Sequence, residues 1–108
     1  MTRAEQDSSK NEFPVIDPVY FQTQSEPALY ELFVNGGKNG VPGEAAQKLY
    51  ALPGLAITTR ENKFRIDLRH LRKILRTHYG HEVADKTPRT KRLAGQQAHY
   101  VLQKIQRP

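Results

Sequence analysis

The pattern of apolar and polar positions over residues 13–54 predicts an extended segment followed by two short helices. The stretch 13–24 is apolar but contains Pro14 and Pro18, so we expect an extended arm laid over the core. A helix is expected to begin after Ser25 and to end at the glycine-rich stretch 35–40, and a second helix is expected over 43–52. The residues predicted to face inward are Val15, Ile16, Tyr20, Phe21, Ala28, Leu29, Leu32, Phe33, Ala45, Ala46, Leu49 and Leu52.

The next stretch, LAITTRENKFRI at residues 55–66, changes from a helical to an alternating period. Isoleucine and threonine favour strands, and a turn at residues 61–62 would pair Ile57 with Ile66 on one face. We therefore predict a β-hairpin here. Arg60, Lys63 and Arg65 would then form a basic hairpin tip.

Residues 67–79 have the pattern of an amphipathic helix, with Asp67 as the N-cap and Gly80 as the residue after the C-cap. At 100° per residue the apolar positions form one arc and the basic positions form a separate arc about 100° wide. The apolar arc contains Leu68, Leu71, Ile74, Leu75, His78 and Tyr79. The basic arc contains Arg69, Arg72, Lys73 and Arg76.

The final segment predicts a further helix that begins at Thr87, with Pro88 in its first turn. Its inward positions would be Ala94, Ala98, Val101, Leu102 and Ile105. Three cations, Arg89, Lys91 and Arg92, would load the first turn with positive charge, where a bound phosphate would relieve the conflict with the helix dipole.

Taken together, the elements predict a small α+β protein in which a β-hairpin packs against three to four helices. Residues 13–108 would form a single domain, and residues 1–12 a disordered tail, because the tail has almost no apolar surface to bury. The order helix, helix, hairpin and basic helix resembles that of winged-helix proteins. The stretch 43–57 does not fit a helix-turn-helix, since Tyr50 and Pro53 fall where small or helical residues are needed.

Charge is distributed unevenly along the chain, which carries a formal net charge of +6 over 108 residues. Residues 1–54 contain four basic and seven acidic side chains, whereas residues 55–108 contain thirteen basic and four acidic ones. The second half therefore holds the excess positive charge, which favours a negatively charged partner for that half.

Several function classes lack support in the sequence. Without cysteine there are neither disulfides nor thiolate metal sites, and no apolar run approaches the length of a membrane span. A polar start without a signal peptide favours a cytoplasmic, intracellular protein with no membrane association. The set His70, His78, His81 and Glu82 matches no metal-ligand spacing, and no serine has an evident base partner. We therefore expect no cofactor, no metal and no enzymatic activity.

The basic arc carries the functional prediction. Its like charges repel at i,i+3 and i,i+4 spacing with no acidic residue among them, whereas a merely solvated face usually alternates the two signs. We predict a nucleic-acid-binding protein, a small DNA-binding regulator or accessory factor that prefers duplex DNA to RNA. A homodimer is compatible with this prediction. The predicted phosphate contacts are Arg60, Lys63, Arg65, Arg69, Arg72, Lys73, Arg76, Arg89, Lys91 and Arg92. The alternative is an interaction module, an adaptor or inhibitor, that binds an acidic protein partner.

Overall fold

The computed structural model describes residues 13–87 and 97–106. Within these ranges the chain forms three α-helices and three strands, which confirms the α+β class. In chain order they are α1 (Glu26–Gly36), β1 (Val41–Pro42), α2 (Gly43–Gln47), α3 (Ile57–Ile74), β2 (His81–Asp85) and β3 (His99–Lys104). Three short 3₁₀ turns lie at Pro18–Tyr20, Gly37–Asn39 and Lys48–Tyr50, and a π-helical turn at Leu75–Tyr79 continues α3.

The three strands form one antiparallel sheet in the order β1-β3-β2. Val83 of β2 lies opposite Leu102 of β3, and both side chains are buried. Strand β1 is only two residues long, and it pairs Val41 with Tyr100. Because a strand alternates its side chains between two faces, the buried Val83–Leu102 pair fixes which face of the sheet meets the core.

The core lies between this sheet face and the helices, and it is built mainly from aliphatic and aromatic side chains of α1 and α3. Its members are Ile16, Leu29, Tyr30, Phe33, Val41, Ala46, Tyr50, Phe64, Leu68, Leu71, Ile74, Leu75, Val83 and Leu102. The full burial of each large apolar side chain contributes roughly 1.5–3 kcal/mol, so these residues fix the orientation of α3.

The inward positions predicted for the first half are partly confirmed. Ile16, Leu29, Phe33 and Ala46 are buried, and Tyr20, Phe21, Leu32 and Ala45 pack at the edge of the core. Four of them are wrong, since Val15, Ala28, Leu49 and Leu52 are exposed. The helix predicted over 43–52 gives way after Gln47 to a 3₁₀ turn, whose tighter winding brings Tyr50 into the core instead.

The β-hairpin predicted over residues 55–66 is wrong, because these residues form the first half of α3. The reason is Phe64, which lies four residues before Leu68 and is buried with it on one side of the helix. The two isoleucines that the hairpin would have paired inward are both exposed, Ile57 at 68% and Ile66 at 57%. The basic helix predicted over 67–79 therefore begins ten residues earlier, and Asp67 lies inside the helix rather than at its N-cap.

The helix predicted after Thr87 is also wrong over the part that the structure describes, since His99–Lys104 is a strand. Strand β3 pairs with β2, the strand before it in the chain, and the β-branched Val101 suits a pleated surface. The protein does contain a hairpin-like strand pair, formed by β2 and β3. The predicted tail at 1–12, Arg89, Lys91 and Arg92 lie outside the described residues.

The segment before α1 holds the C-terminal end of α3. The ring of Tyr20 stacks on His78 with centroids 4.2 Å apart, and the backbone N–H of Asp17 donates to the Tyr79 hydroxyl at 2.9 Å. Gly80 then adopts a left-handed φ of 65°, as predicted for the residue that ends the helix. His78 itself is exposed, so its predicted place in the apolar arc is wrong.

In the part of the chain that the structure describes, no helix has both the length and the apolar character needed to cross a membrane.

Candidate functional site

The outward side of α3 carries a row of basic residues. Arg65, Arg69, Lys73 and Arg76 are all exposed, and we call them the basic face. At 100° per residue they fall within an arc of about 80°, and they extend over about 16 Å of helix and its terminal turn. Arg65 joins the row because the helix begins earlier than predicted, which adds a like-charge i,i+4 pair with Arg69.

The basic face borders an open groove with a volume of about 410 Å³. Five of the seven residues that line it are cations, and none is aromatic or acidic. They are Arg65, Leu68, Arg69, Arg72, Lys73, Arg76 and Thr77. Such a lining attracts an anion through charge and offers no ring on which a base could stack.

No carboxylate of the described residues lies within 4.0 Å of a cation of the basic face. The one salt bridge among the described residues joins His70 to Glu26 instead. Of the four acidic side chains of the second half, Glu61 lies four residues before Arg65 on α3 without a salt bridge to it, and the other three have partners of their own. Asp67 accepts from hydroxyl groups, Glu82 accepts from the side-chain amide of Gln103 at 2.8 Å, and Asp85 accepts from the backbone N–H of Thr87 at 3.0 Å. Within the described residues, the positive charge of the basic face is therefore not neutralised by a salt bridge.

Arg72 belongs to the predicted basic arc, but the fold holds its side chain. Its Nε donates to the backbone carbonyl of Val83 at 3.0 Å, and its guanidinium carbon lies 5.8 Å from the ring centroid of Tyr100. Both contacts tie α3 to the sheet. Arg72 thus lines the groove as a tether between α3 and β2, with only part of its hydrogen-bonding capacity open to a ligand.

Arg60 and Lys63 do not join the basic face. They lie on α3 more than about 100° away from Arg69 around the helix axis. The Nε of Arg60 is buried without a hydrogen-bond partner, and its side chain borders a separate cleft near Glu44 and Gln47. The structure therefore brings together Arg65, Arg69, Lys73 and Arg76 with the tethered Arg72, and it separates Arg60 and Lys63 from them.

The opposite side of α3 contains a buried carboxylate, that of Asp67, which the sequence pattern predicted to be an N-cap. Asp67 is 3% exposed, and its Oδ1 accepts from the Thr23 hydroxyl at 3.0 Å. Its Oδ2 accepts from the Tyr50 hydroxyl at 2.6 Å and from the Ser25 hydroxyl. We call Asp67, Thr23, Ser25 and Tyr50 the Asp67 cluster. Three donors from two segments of the chain compensate the cost of burying this charge.

A second buried acid lies beside the cluster on α1. Glu26 is fully buried, and its Oε1 accepts from the backbone N–H of Gln22 at 2.9 Å and lies 2.9 Å from His70 Nδ1. Its Oε2 has no partner among the described residues. These acids link α1 and the segment before it to the inner side of α3, so they help to hold the basic face outward.

Two buried tyrosine hydroxyls resist ionisation. Burial raises the pKa of Tyr50 far above its usual range, and its hydrogen bond to the Asp67 carboxylate adds to this effect. Burial also raises the pKa of Tyr30 to about 12, with a smaller contribution from the charge of Tyr79. The Tyr30 hydroxyl donates to the backbone carbonyl of Pro14, which anchors the N-terminal segment.

The candidate metal residues are dispersed over different contacts. His70 pairs with Glu26, His78 stacks on Tyr20, and His81 Nδ1 lies 2.8 Å from the carbonyl of Tyr79. Over the described ranges, no three histidine, aspartate or glutamate side chains come together as a metal ion would need.

Comparisons of this chain with protein-family models, with curated proteins and with solved structures gave no match.

Proposed function

We propose that the protein binds nucleic acid, with duplex DNA as the preferred ligand, and acts as a small regulator or accessory factor. The observation that carries this proposal is the basic face: four exposed cations on one helix and its terminal turn, none of which forms a salt bridge with a carboxylate of the described residues. A phosphate backbone supplies closely spaced negative charges, and its neutralisation releases condensed counterions.

The shape of α3 favours a duplex of the B form. An α-helix with its side chains is about 10–12 Å wide, which fits the major groove of B-DNA at about 12 Å, whereas the major groove of duplex RNA is too narrow. A single strand would require stacking platforms, and the groove beside the basic face has no aromatic lining residue.

The arrangement of elements supports the predicted winged-helix-like architecture in a form that differs from the prediction. A helix, a short strand, two helices and a final strand pair follow one another along the chain. In this proposal α3 enters the major groove. Arg89, Lys91 and Arg92, which lie outside the described residues, remain predicted phosphate contacts from the sequence.

The test is the fluorescence anisotropy of the protein with a labelled 20-base-pair DNA duplex, a DNA single strand and an RNA duplex, each across a range of salt concentrations. Four neutralised phosphates predict a slope of about −3.6 in the plot of log affinity against log salt. The DNA duplex should bind tightest. A slope near zero, or equal affinity for all three ligands, would overturn the proposal.

An acidic protein surface is the alternative ligand for the same four cations. A pull-down from cell extract before and after nuclease treatment separates the two ligands. Loss of the captured material after nuclease supports the nucleic-acid proposal, whereas a protein that is retained at unchanged yield contradicts it.

A further inference from the structure

Asn62 and Ile66 are uncharged side chains beside the basic face, on the outward side of α3. Asn62 and Ile66 are exposed, and with Arg69 and Lys73 they follow one another at intervals of four, three and four residues. This spacing places all four within an arc of about 60° on the outward side of α3. Asn62 makes no side-chain hydrogen bond within the described ranges, and Ile66 is 57% exposed.

Neither side chain is explained by folding or by attraction to phosphate. Ile66 lies away from the core, and both residue types have lower helix propensity than alanine, lysine or arginine. A single exposed isoleucine is ordinary on a protein surface, but Ile66 lies next to Arg69 and Lys73 on the same side of α3. On a helix held against a duplex by those cations, Asn62 and Ile66 are placed to meet base edges.

Their chemistry matches an A·T base pair. In the major groove an asparagine amide can form two hydrogen bonds with adenine N6 and N7, and an apolar side chain can contact the C5-methyl group of thymine. Asn62 and Ile66 are four residues apart, a rise of about 6 Å, which is close to two base-pair steps of about 3.4 Å.

We propose, on the basis of the proposed function, that Asn62 and Ile66 read a short A·T step in the major groove. Asn62 pairs with an adenine edge, and Ile66 packs against a thymine methyl group about two base pairs away. The basic face binds the flanking phosphates and contributes affinity without sequence preference.

The experiment measures affinity for three duplex polymers at one salt concentration: alternating dA-dT, the same polymer with uracil in place of thymine, and alternating dG-dC. Uracil lacks only the methyl group, so the wild-type protein should bind the uracil polymer about fourfold more weakly than the thymine polymer. It should bind the dG-dC polymer roughly tenfold more weakly than the dA-dT polymer.

Matched variants assign these differences to the two residues. Ile66→Ala should bind the thymine and uracil polymers equally, and Asn62→Ala should lose most of the preference for dA-dT over dG-dC. Ile57→Ala is the control, because Ile57 is an exposed isoleucine on the opposite side of the same helix, and it should behave as wild type. Salt slopes should be unchanged in all three variants.

The outcomes separate the inference from the function on which it rests. A wild-type protein that binds all three polymers equally with a steep salt slope overturns the base-reading inference and leaves the proposed function intact. Equal responses of Ile57→Ala and Ile66→Ala also overturn it. Absence of salt-dependent binding to any polymer overturns both.

Discussion

The charged groups on the two sides of α3 differ in whether the protein supplies them with partners. On the inner side, Asp67 is buried and receives three hydroxyl donors. On the outer side, the basic face has no carboxylate partner within the described ranges. Within one helix, therefore, the buried charge is compensated and the exposed charges are not. The difference shows that a charge inside this fold is stabilised by hydrogen-bond donors, whereas the cations of the basic face form no salt bridge within the described ranges.

The largest expected loss of stability comes from removing the buried carboxylate of Asp67. Asp67→Ala should lower the free energy of unfolding by about 3–5 kcal/mol, because the buried Tyr50 hydroxyl loses its acceptor and the Thr23 and Ser25 hydroxyls lose a hydrogen bond to a carboxylate. Urea denaturation followed by circular dichroism measures the loss. Asp17→Ala, an exposed aspartate that caps only a 3₁₀ turn, is the control and should cost less than about 1 kcal/mol. A loss that is no larger for Asp67→Ala than for the control would mean that the Asp67 cluster does not hold α3.

The second-largest expected effect is a loss of folding stability at alkaline pH. In the unfolded chain a tyrosine releases its proton near pH 10, whereas burial raises the pKa of Tyr30 to about 12 and that of Tyr50 in the same direction. The folded state therefore keeps protons that the unfolded state has lost. Stability is fully present below about pH 10 and falls between pH 10 and 12, by up to about 2–3 kcal/mol for Tyr30.

The measurement is the free energy of unfolding at pH 9 and at pH 11.5 for the wild type and for Tyr30→Phe. The variant should lose less stability between the two pH values, because it has no proton to release at that position. An identical loss in both proteins would show that the Tyr30 hydroxyl is not buried as described.

A smaller difference in stability is expected between alanine variants of two arginines that lie close together on α3. Arg72→Ala should lower the free energy of unfolding by about 1–2 kcal/mol, since it removes the hydrogen bond to the Val83 carbonyl and the contact with the Tyr100 ring. Arg69→Ala should change it by less than about 0.5 kcal/mol, because the exposed Arg69 has no such contact. Equal losses in urea denaturation would remove the distinction between the tether and the basic face.

The amphipathic pattern predicted the basic face better than it predicted the surrounding fold. The 100° period over residues 67–76 places Arg69, Lys73 and Arg76 together whether or not the helix begins earlier. The start of α3 was mispredicted because a short alternating run of β-branched residues fits a strand as well as a helix. The i,i+4 pair Phe64–Leu68 was the local signal that favoured the helix.

Other features depend on contacts between different elements of the fold. Strand β3 forms because β2 offers it a partner, and its apolar spacing alone suited a helix. The Asp67 cluster joins α3 to Thr23 and Ser25, more than forty residues earlier. An aspartate before an apolar run is an equally good N-cap, so only the assembled structure reveals its buried role.

The most direct measurement compares two charge reversals on α3. Arg69→Glu and Lys63→Glu change the net charge equally and alter exposed residues of the same helix, but only Arg69 belongs to the basic face. In the salt series with the DNA duplex, we expect Arg69→Glu to weaken binding by at least tenfold and to reduce the magnitude of the salt slope by about 1, and Lys63→Glu to weaken binding less than threefold. Equal losses for the two variants would contradict the account, because binding would then follow total charge rather than the basic face.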